Sequence, residues 1–277
     1  MTLRDSIHAA GRPVTRALLH PRWRRRPSVA WTYLQLYLLG KRLTERRELS
    51  TLQSLIVPGM VIADIGANVG FYTFEMAASV GPTGRVLAFE PDPFSFQLLK
   101  GRLIRAAAVN VEAHQLALGH ETARTVLYCS AYNRADNRLS PSHTEPHVET
   151  CEAQVRTLDD VLRETRHVAI DALKIDVQGN EANVLRGARQ TLDAGVRWVW
   201  LEFSPDHLRG AGEDPAAFLE NLGALGMEML HLTENASLLP VTDFREYTRK
   251  MGSNYGDIVL MSQSRRERIS KTPRSKA

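Results

Sequence analysis

The sequence predicts an α/β fold, a doubly wound domain with a mainly parallel seven-stranded sheet, an inserted β-hairpin and helices ahead of it. Three observations carry that prediction. From residue 58 onward, short apolar runs alternate with helical periods and Gly/Pro turns, the rhythm of parallel strands joined by right-handed crossovers. A glycine-rich stretch, Asp64-Ile-Gly66-Ala-Asn68-Val-Gly70, lies between the first strand and the first helix of that series, where an open α/β sheet meets its ligand. Acidic residues also stand at the ends of several strands, and carboxylates gathered round one crevice are costly to bury without a use.

The elements follow in order. Residues 1–50 read as two helical stretches separated by Pro21 and the Arg22, Arg24, Arg25, Arg26 cluster. Strands are predicted at 61–65, 85–90, 111–117, 173–177, 197–203, 228–232 and 257–262. Helices are predicted at 71–78, from Pro93 to about Ala107 with Pro in the first turn, from Asn180 to Ala194, and at 215–225. Residues 125–129 and 152–157 form the inserted hairpin around a polar loop, which is expected to have a mobile tip. Thr157 caps the next helix, with Asp160 completing a capping-box pattern. The expected organisation is a basic helical segment over 1–50, one domain over 51–263 and a disordered basic tail over 264–277.

Charge is unevenly spread along the 277 residues. The net +4 combines +8 in residues 1–50, +5 in 264–277 and −9 in the body. An acidic body would repel a phosphate backbone, which sets nucleic acid aside as a partner. Two cysteines, Cys129 and Cys151, have no metal-type spacing and make no disulfide framework, which fits a reducing, cytoplasmic location. Neither a secretory signal nor a transmembrane segment is expected, because the apolar run at 29–40 is far below the roughly 20 residues of a span. Trp31, Tyr33, Leu34, Leu36, Tyr37, Leu38 and Leu39 must still pack somewhere, as a cap on the active face or a homo-oligomer contact, with plain core packing and a membrane-surface helix as the alternatives.

The glycine-rich loop alone fits either a methyl donor or a dinucleotide. Its spacing is Gly-x-Asn-x-Gly rather than the Gly-x-Gly-x-x-Gly of a pyrophosphate site. Asp64 inside the strand end would repel a pyrophosphate but suits an ammonium group. Gly66 permits the turn, Gly70 a close backbone approach, and the following helix offers its free N–H groups to a carboxylate. Glu90, at the end of the second strand, can accept both hydroxyls of a ribose. The ligand predicted is therefore S-adenosylmethionine.

At these residues the sequence resembles the FkbM family of methyltransferases. The matching stretches are DIGANVGFYT (64–73), FEP (89–91), ALG (117–119), RTLDDVL (156–162), LKIDVQGNE (173–181), VLRGA (184–188) and LEF (201–203). The resemblance implies a Rossmann-like class I methyltransferase fold, use of S-adenosylmethionine and O-methylation of a sugar, glycan or natural-product hydroxyl. It further implies that Asp64, Gly66, Asn68 and Gly70 line the methionine end, with Phe71, Tyr72 and Thr73 at its carboxylate. Glu90 would hold the ribose with Asp92 nearby, and Gln115 and Leu116 would flank the adenine. Gln178 departs from the Glu common at that position.

Asp176 and Glu202 share a strand-end position and are the candidate catalytic residues, as base and partner or as hard oxygen ligands to Mg²⁺. The bland reading is that either simply pairs with Lys174 or an arginine. His207 is the alternative base, while His143 and His147 fall in the hairpin loop. An RNA methyltransferase, an NAD-linked oxidoreductase and a non-catalytic donor-binding scaffold are the competing functions.

Overall fold

A computed structural model describes residue 18 and residues 26–130, 133–141, 147–165 and 169–262. The first N-terminal helical stretch, the tail from 264, His143 and the side chain of His147 lie outside the described residues. Two helices lead the chain, α1 (Pro27–Thr44) and α2 (Arg46–Leu55). The alternating region follows as β1 (Val61–Ile65), α3 (Phe71–Val80), β2 (Arg85–Phe89), α4 (Pro93–Ala106) and β3 (Val111–His114). Then come β4 (Ala117–Leu118), β5 (Ala123–Ser130), β6 (His147–Arg156), α5 (Leu158–Thr165), β7 (Ala172–Ile175), α6 (Glu181–Arg186) and α7 (Arg189–Asp193). The last elements are β8 (Trp198–Phe203), α8 (Pro205–Gly210), α9 (Pro215–Gly223), β9 (Glu228–Leu232), β10 (Leu238–Pro240), α10 (Phe244–Met251) and β11 (Gly256–Met261).

The main sheet runs β10-β9-β11-β8-β7-β1-β2-β3. Its five neighbours from β3 to β8 are parallel, and β11 is wedged antiparallel between β8 and β9. It has eight strands rather than seven, because the short hairpin strand β10 adds to the edge of β9. Both faces are covered, so the strands read as continuous apolar runs, and the period of two divides them between two layers. Ala63, Ile65, Leu87, Phe89, Leu173, Ile175, Val199 and Leu201 pack with α5, α6 and α9. Ile62, Val86, Ala172, Trp198 and Trp200 pack with α2 and α3.

Three expectations are corrected. The third strand leaves the sheet after His114: Gln115 is exposed, and Ala117–Leu118 pairs instead with Val155–Arg156 in a second sheet ordered β4-β6-β5. The helix expected from Asn180 to Ala194 is broken in two. At the break a Cβ on Gly187 would lie 1.9 Å from the Gly119 carbonyl oxygen, and Asp159 accepts from the N–H groups of Gln190 and Thr191, starting a fresh helix there. The hairpin loop is also more than a polar tip, because its short 3₁₀ turn, Arg134–Asp136, sends Arg134 into the interior at 1% exposure. Thr157 does cap α5, accepting from the Asp160 N–H at 3.0 Å.

Candidate functional site

A crevice of about 760 Å³ opens at the carboxyl ends of β1, β2 and β7. Its floor is the turn after β1. Gly66 has φ +86°, and a Cβ there would meet the Asp176 carbonyl oxygen at 1.9 Å, so glycine is required by backbone packing as well as by conformation. The N–H groups of Gly66 and Ala67 both donate to the Phe89 carbonyl, tying the turn to β2. Gly70, at φ +83°, adopts a left-handed conformation that favours glycine, and a Cβ there would also lie 2.6 Å from Leu99 Cδ1.

Glu90 links the turn to the next helix. One oxygen accepts from the Asn68 N–H at 2.7 Å and the other from the Asp92 N–H at 2.8 Å. Burial, reinforced by the Asp92 charge, pushes its carboxyl up to about 8. Asp64 is wholly buried, and its Oδ2 accepts from Thr73 Oγ1 at 2.6 Å. Its Oδ1 has no hydrogen-bond partner among the described residues, with Lys174 Nζ at 3.9 Å. Burial raises the Asp64 carboxyl above its ordinary range, so an unmet acceptor is held ready at the crevice wall.

At the ends of β7 and β8 the carboxylates are joined differently. Gln178 Nε2 donates to Asp176 Oδ1 at 2.7 Å and to Glu202 Oε2 at 2.9 Å. Gln178 itself adopts φ +54°, followed by Gly179 at +105°, whose Cβ would collide with the His207 carbonyl oxygen. Burial works against Asp176, yet the ammonium groups of Lys174, 3.6 Å away, and Lys41 hold it below its ordinary range. Burial and the neighbouring Asp176 charge raise Glu202 well above. The two carboxyls are thus driven in opposite directions, Asp176 toward the ionised form and Glu202 toward the protonated one. Asp176 does pair with Lys174, as the bland reading expected.

The roof comes from residues that sequence reasoning did not assign to the site. Tyr37 and Lys41 of α1 line the crevice. Lys41 Nζ pairs with Glu45 Oε1 at 2.6 Å, and Tyr72 donates to Glu45 Oε2 at 2.5 Å, so the N-terminal helices are latched to the glycine turn's own helix. Arg134, from the hairpin, pairs with Asp92 at 3.3 Å and Glu149 at 2.9 Å. A second chamber of about 390 Å³, lined among others by Glu202, Trp200 and Asp257, shares Lys41, Tyr72, Lys174 and Asp176 with the crevice.

Of the residues singled out from sequence, Asp64, Gly66, Asn68, Phe71, Tyr72, Glu90, Leu116 and Asp176 line the crevice. Four do not. Gly70 and Thr73 act behind it, the latter on Asp64. Asp92 caps α4 through the N–H groups of Phe94 and Ser95 and is paired with Arg134. Gln115 is turned out to solvent where the chain leaves the sheet. Glu202 faces the second chamber, and His207 borders neither space. Its Nε2 lies 3.0 Å from Arg138 Nη2, and since a guanidinium only donates, that nitrogen's lone pair is already engaged.

Residues 64–235 match the methyltransferase FkbM domain. The chain belongs to the FkbM methyltransferase family. It is 32% identical over 143 residues to "Methyltransferase 1" of Beauveria bassiana (strain ARSEF 2860), covering 46% of this chain and 57% of that one. It is 30% identical over 172 residues to the 31-O-demethyl-FK506 methyltransferase FkbM of Streptomyces tacrolimicus, covering 52% and 65%. The chain thus spans less than two thirds of the length of these FkbM-type relatives. The crystal structure of a methyltransferase FkbM from Methylobacillus flagellatus KT aligns with a TM-score of 0.49 at 17% identity, covering 83% of this chain and 54% of that chain. Tyr37, Lys41 and Glu45 lie ahead of the matched FkbM domain, so no family motif could have pointed to them.

Proposed function

We propose that this protein transfers the methyl group of S-adenosylmethionine to a hydroxyl oxygen of a small-molecule or saccharide acceptor. One observation carries the reading. The ends of β1, β2 and β7 bring Asp64, Glu90 and Asp176 to one crevice with apolar Leu116, Ala117 and Leu118, a set that suits an ammonium, a ribose, a reacting hydroxyl and an adenine. The unmet Asp64 Oδ1 suits the ammonium, and the Glu90 carboxyl suits the two ribose hydroxyls, which donate best to its ionised form. A relative whose name is that of an O-demethyl substrate's methyltransferase supports oxygen as the acceptor atom.

The bound sulfonium supplies an activated methyl group, so the chain's own work is alignment and proton removal. As the new O–CH₃ bond forms and the S–CH₃ bond breaks, the hydroxyl becomes strongly acidic. Its proton then passes to the Asp176 carboxylate, which Lys174 and Lys41 keep ionised and Gln178 holds in place. Glu202, which burial and the Asp176 charge push toward its protonated form, accepts from the other hydrogen of Gln178. This donor set suits a proton better than Mg²⁺, because an N–H donor stands between the two carboxylates and two ammonium groups adjoin them. Nor does any third acidic, Cys or His ligand complete a cluster there among the described residues.

The test is mass spectrometry of sugar and polyhydroxylated acceptors after incubation with the protein and S-adenosylmethionine, with and without chelator. A methyl ether formed with chelator present, and lost in Asp176→Asn, is the expected result. Methylation at nitrogen, or full turnover by Asp176→Asn, would overturn the assignment.

A further inference from the structure

Ten large apolar side chains are exposed among the described residues, and four of them, Trp31, Leu36, Leu39 and Leu43, lie on the single helix α1. The inner side of that helix is spoken for, with Tyr33 and Leu34 buried and Tyr37 and Lys41 in the crevice. Leu36, Leu39 and Leu43, at spacings of three and four, form a row on the outer side. Trp31 extends the patch to α4, where the Arg105 guanidinium lies 4.4 Å from the indole ring centroid and Ile104 is 77% exposed.

The charge carried by these two helices has one sign. Neither α1 nor α4 contains an aspartate or glutamate, while they carry Arg42, Lys100, Arg102 and Arg105 besides the crevice's Lys41, with Glu75 of α3 near Arg102. Arg42 is close enough to Arg102 to add to the burial that pushes that guanidinium down to about 10. Over residues 26–50, Arg26, Lys41, Arg42, Arg46 and Arg47 stand against Glu45 and Glu48, a balance of +3 beside the −9 of the body.

We propose that the outer face of α1, with the end of α4, docks in the plane of a bilayer surface that contains anionic lipids. Leucines would enter the acyl boundary, Trp31 would sit at headgroup level, and the arginines would meet lipid phosphates. No described helix is long and apolar enough to cross a membrane, so the contact is with one leaflet. A second copy of this chain is a poor occupant, because a two-fold α1–α1 contact would bring together two helices that are basic and hold no acidic residue to pair across it.

The experiment is co-sedimentation of the full chain with phosphatidylcholine vesicles, alone or mixed with phosphatidylserine, at low and high salt. Binding to the mixed vesicles only, weakened by salt, is expected. Leu39→Asp with Leu43→Asp should lower it by about tenfold or more, with the melting temperature checked to confirm folding. Three results would each overturn the proposal: no sedimentation at low salt, equal binding to neutral vesicles, or a solution dimer that the double variant converts to monomer. The readout does not depend on the methyl-transfer reading.

Discussion

The two halves of the crevice bury their carboxylates by opposite means. Around β1 and β2, Glu90 accepts from two backbone N–H groups and Asp64 from one hydroxyl, with Lys174 no nearer than 3.9 Å, and burial lifts both above the ordinary carboxylate range. Around β7 and β8, Asp176 has two lysines for company and is held low, while its neighbour Glu202 is driven high. The first arrangement stores acceptors that a cationic, hydroxyl-bearing ligand satisfies on arrival. The second drives one carboxyl toward ionisation beside one driven toward protonation, the arrangement the proposed proton removal uses. On the proposed function, binding and chemistry fall to different strand ends, and each can be broken separately.

The largest effect is expected on the chemical half. Asp176→Asn should lower kcat by about 10²–10⁴ while S-adenosylhomocysteine affinity changes little, as single-turnover kinetics and titration calorimetry would show. A comparable loss of affinity would merge the two halves. Next comes Glu90→Ala, which should weaken S-adenosylhomocysteine binding about a hundredfold through two lost charge-assisted hydrogen bonds.

The same residue sharpens the comparison through pH. Because the Glu90 carboxyl is raised from 4.5 to about 8, the native state holds a proton that the unfolded chain has released. Its contribution to stability is therefore present at low pH and is lost as pH rises through that window. Ligand affinity should run the other way, rising about tenfold between pH 7 and 9 as the ionised form accepts the ribose hydroxyls, and Glu90→Gln should flatten the profile. An affinity independent of pH in the unmodified protein would remove Glu90 from the ribose.

Smaller effects belong to the supports. Gly66→Ala forces a Cβ against the Asp176 carbonyl and a left-handed φ on alanine, costing about 2–4 kcal/mol in chemical denaturation. Tyr72→Phe removes the bond from α3 to Glu45 of the N-terminal helices, and about 1–2 kcal/mol of stability should go with it.

What the sequence made legible follows the same division. Asp64, Gly66, Asn68 and Glu90 could be read because turn, strand end and helix start lie within one continuous stretch, where local rules apply. Asp176 and Glu202 could be read as strand ends, but not as unequal partners, since Gln178, Lys174 and Lys41 set that inequality through space. Arg134 was hidden because nothing local marks a loop arginine as buried; its counter-charges, Asp92 and Glu149, lie on two other elements. The break at Gly187 was hidden because Val184, Leu185 and Ala188 continue one helical period across it, whereas the cause is the Gly119 carbonyl from another part of the chain. β10 was too short, and ended in proline, to read as a strand.

The most direct measurement of the central claim is isothermal titration of the full chain with S-adenosylhomocysteine, with NADH as the control. The account predicts tight binding of the former alone, weakened by Asp64→Asn, whose neutral amide no longer answers the ligand's ammonium. No binding of S-adenosylhomocysteine, or equal binding of NADH, would contradict it and reduce the crevice to a feature of the fold.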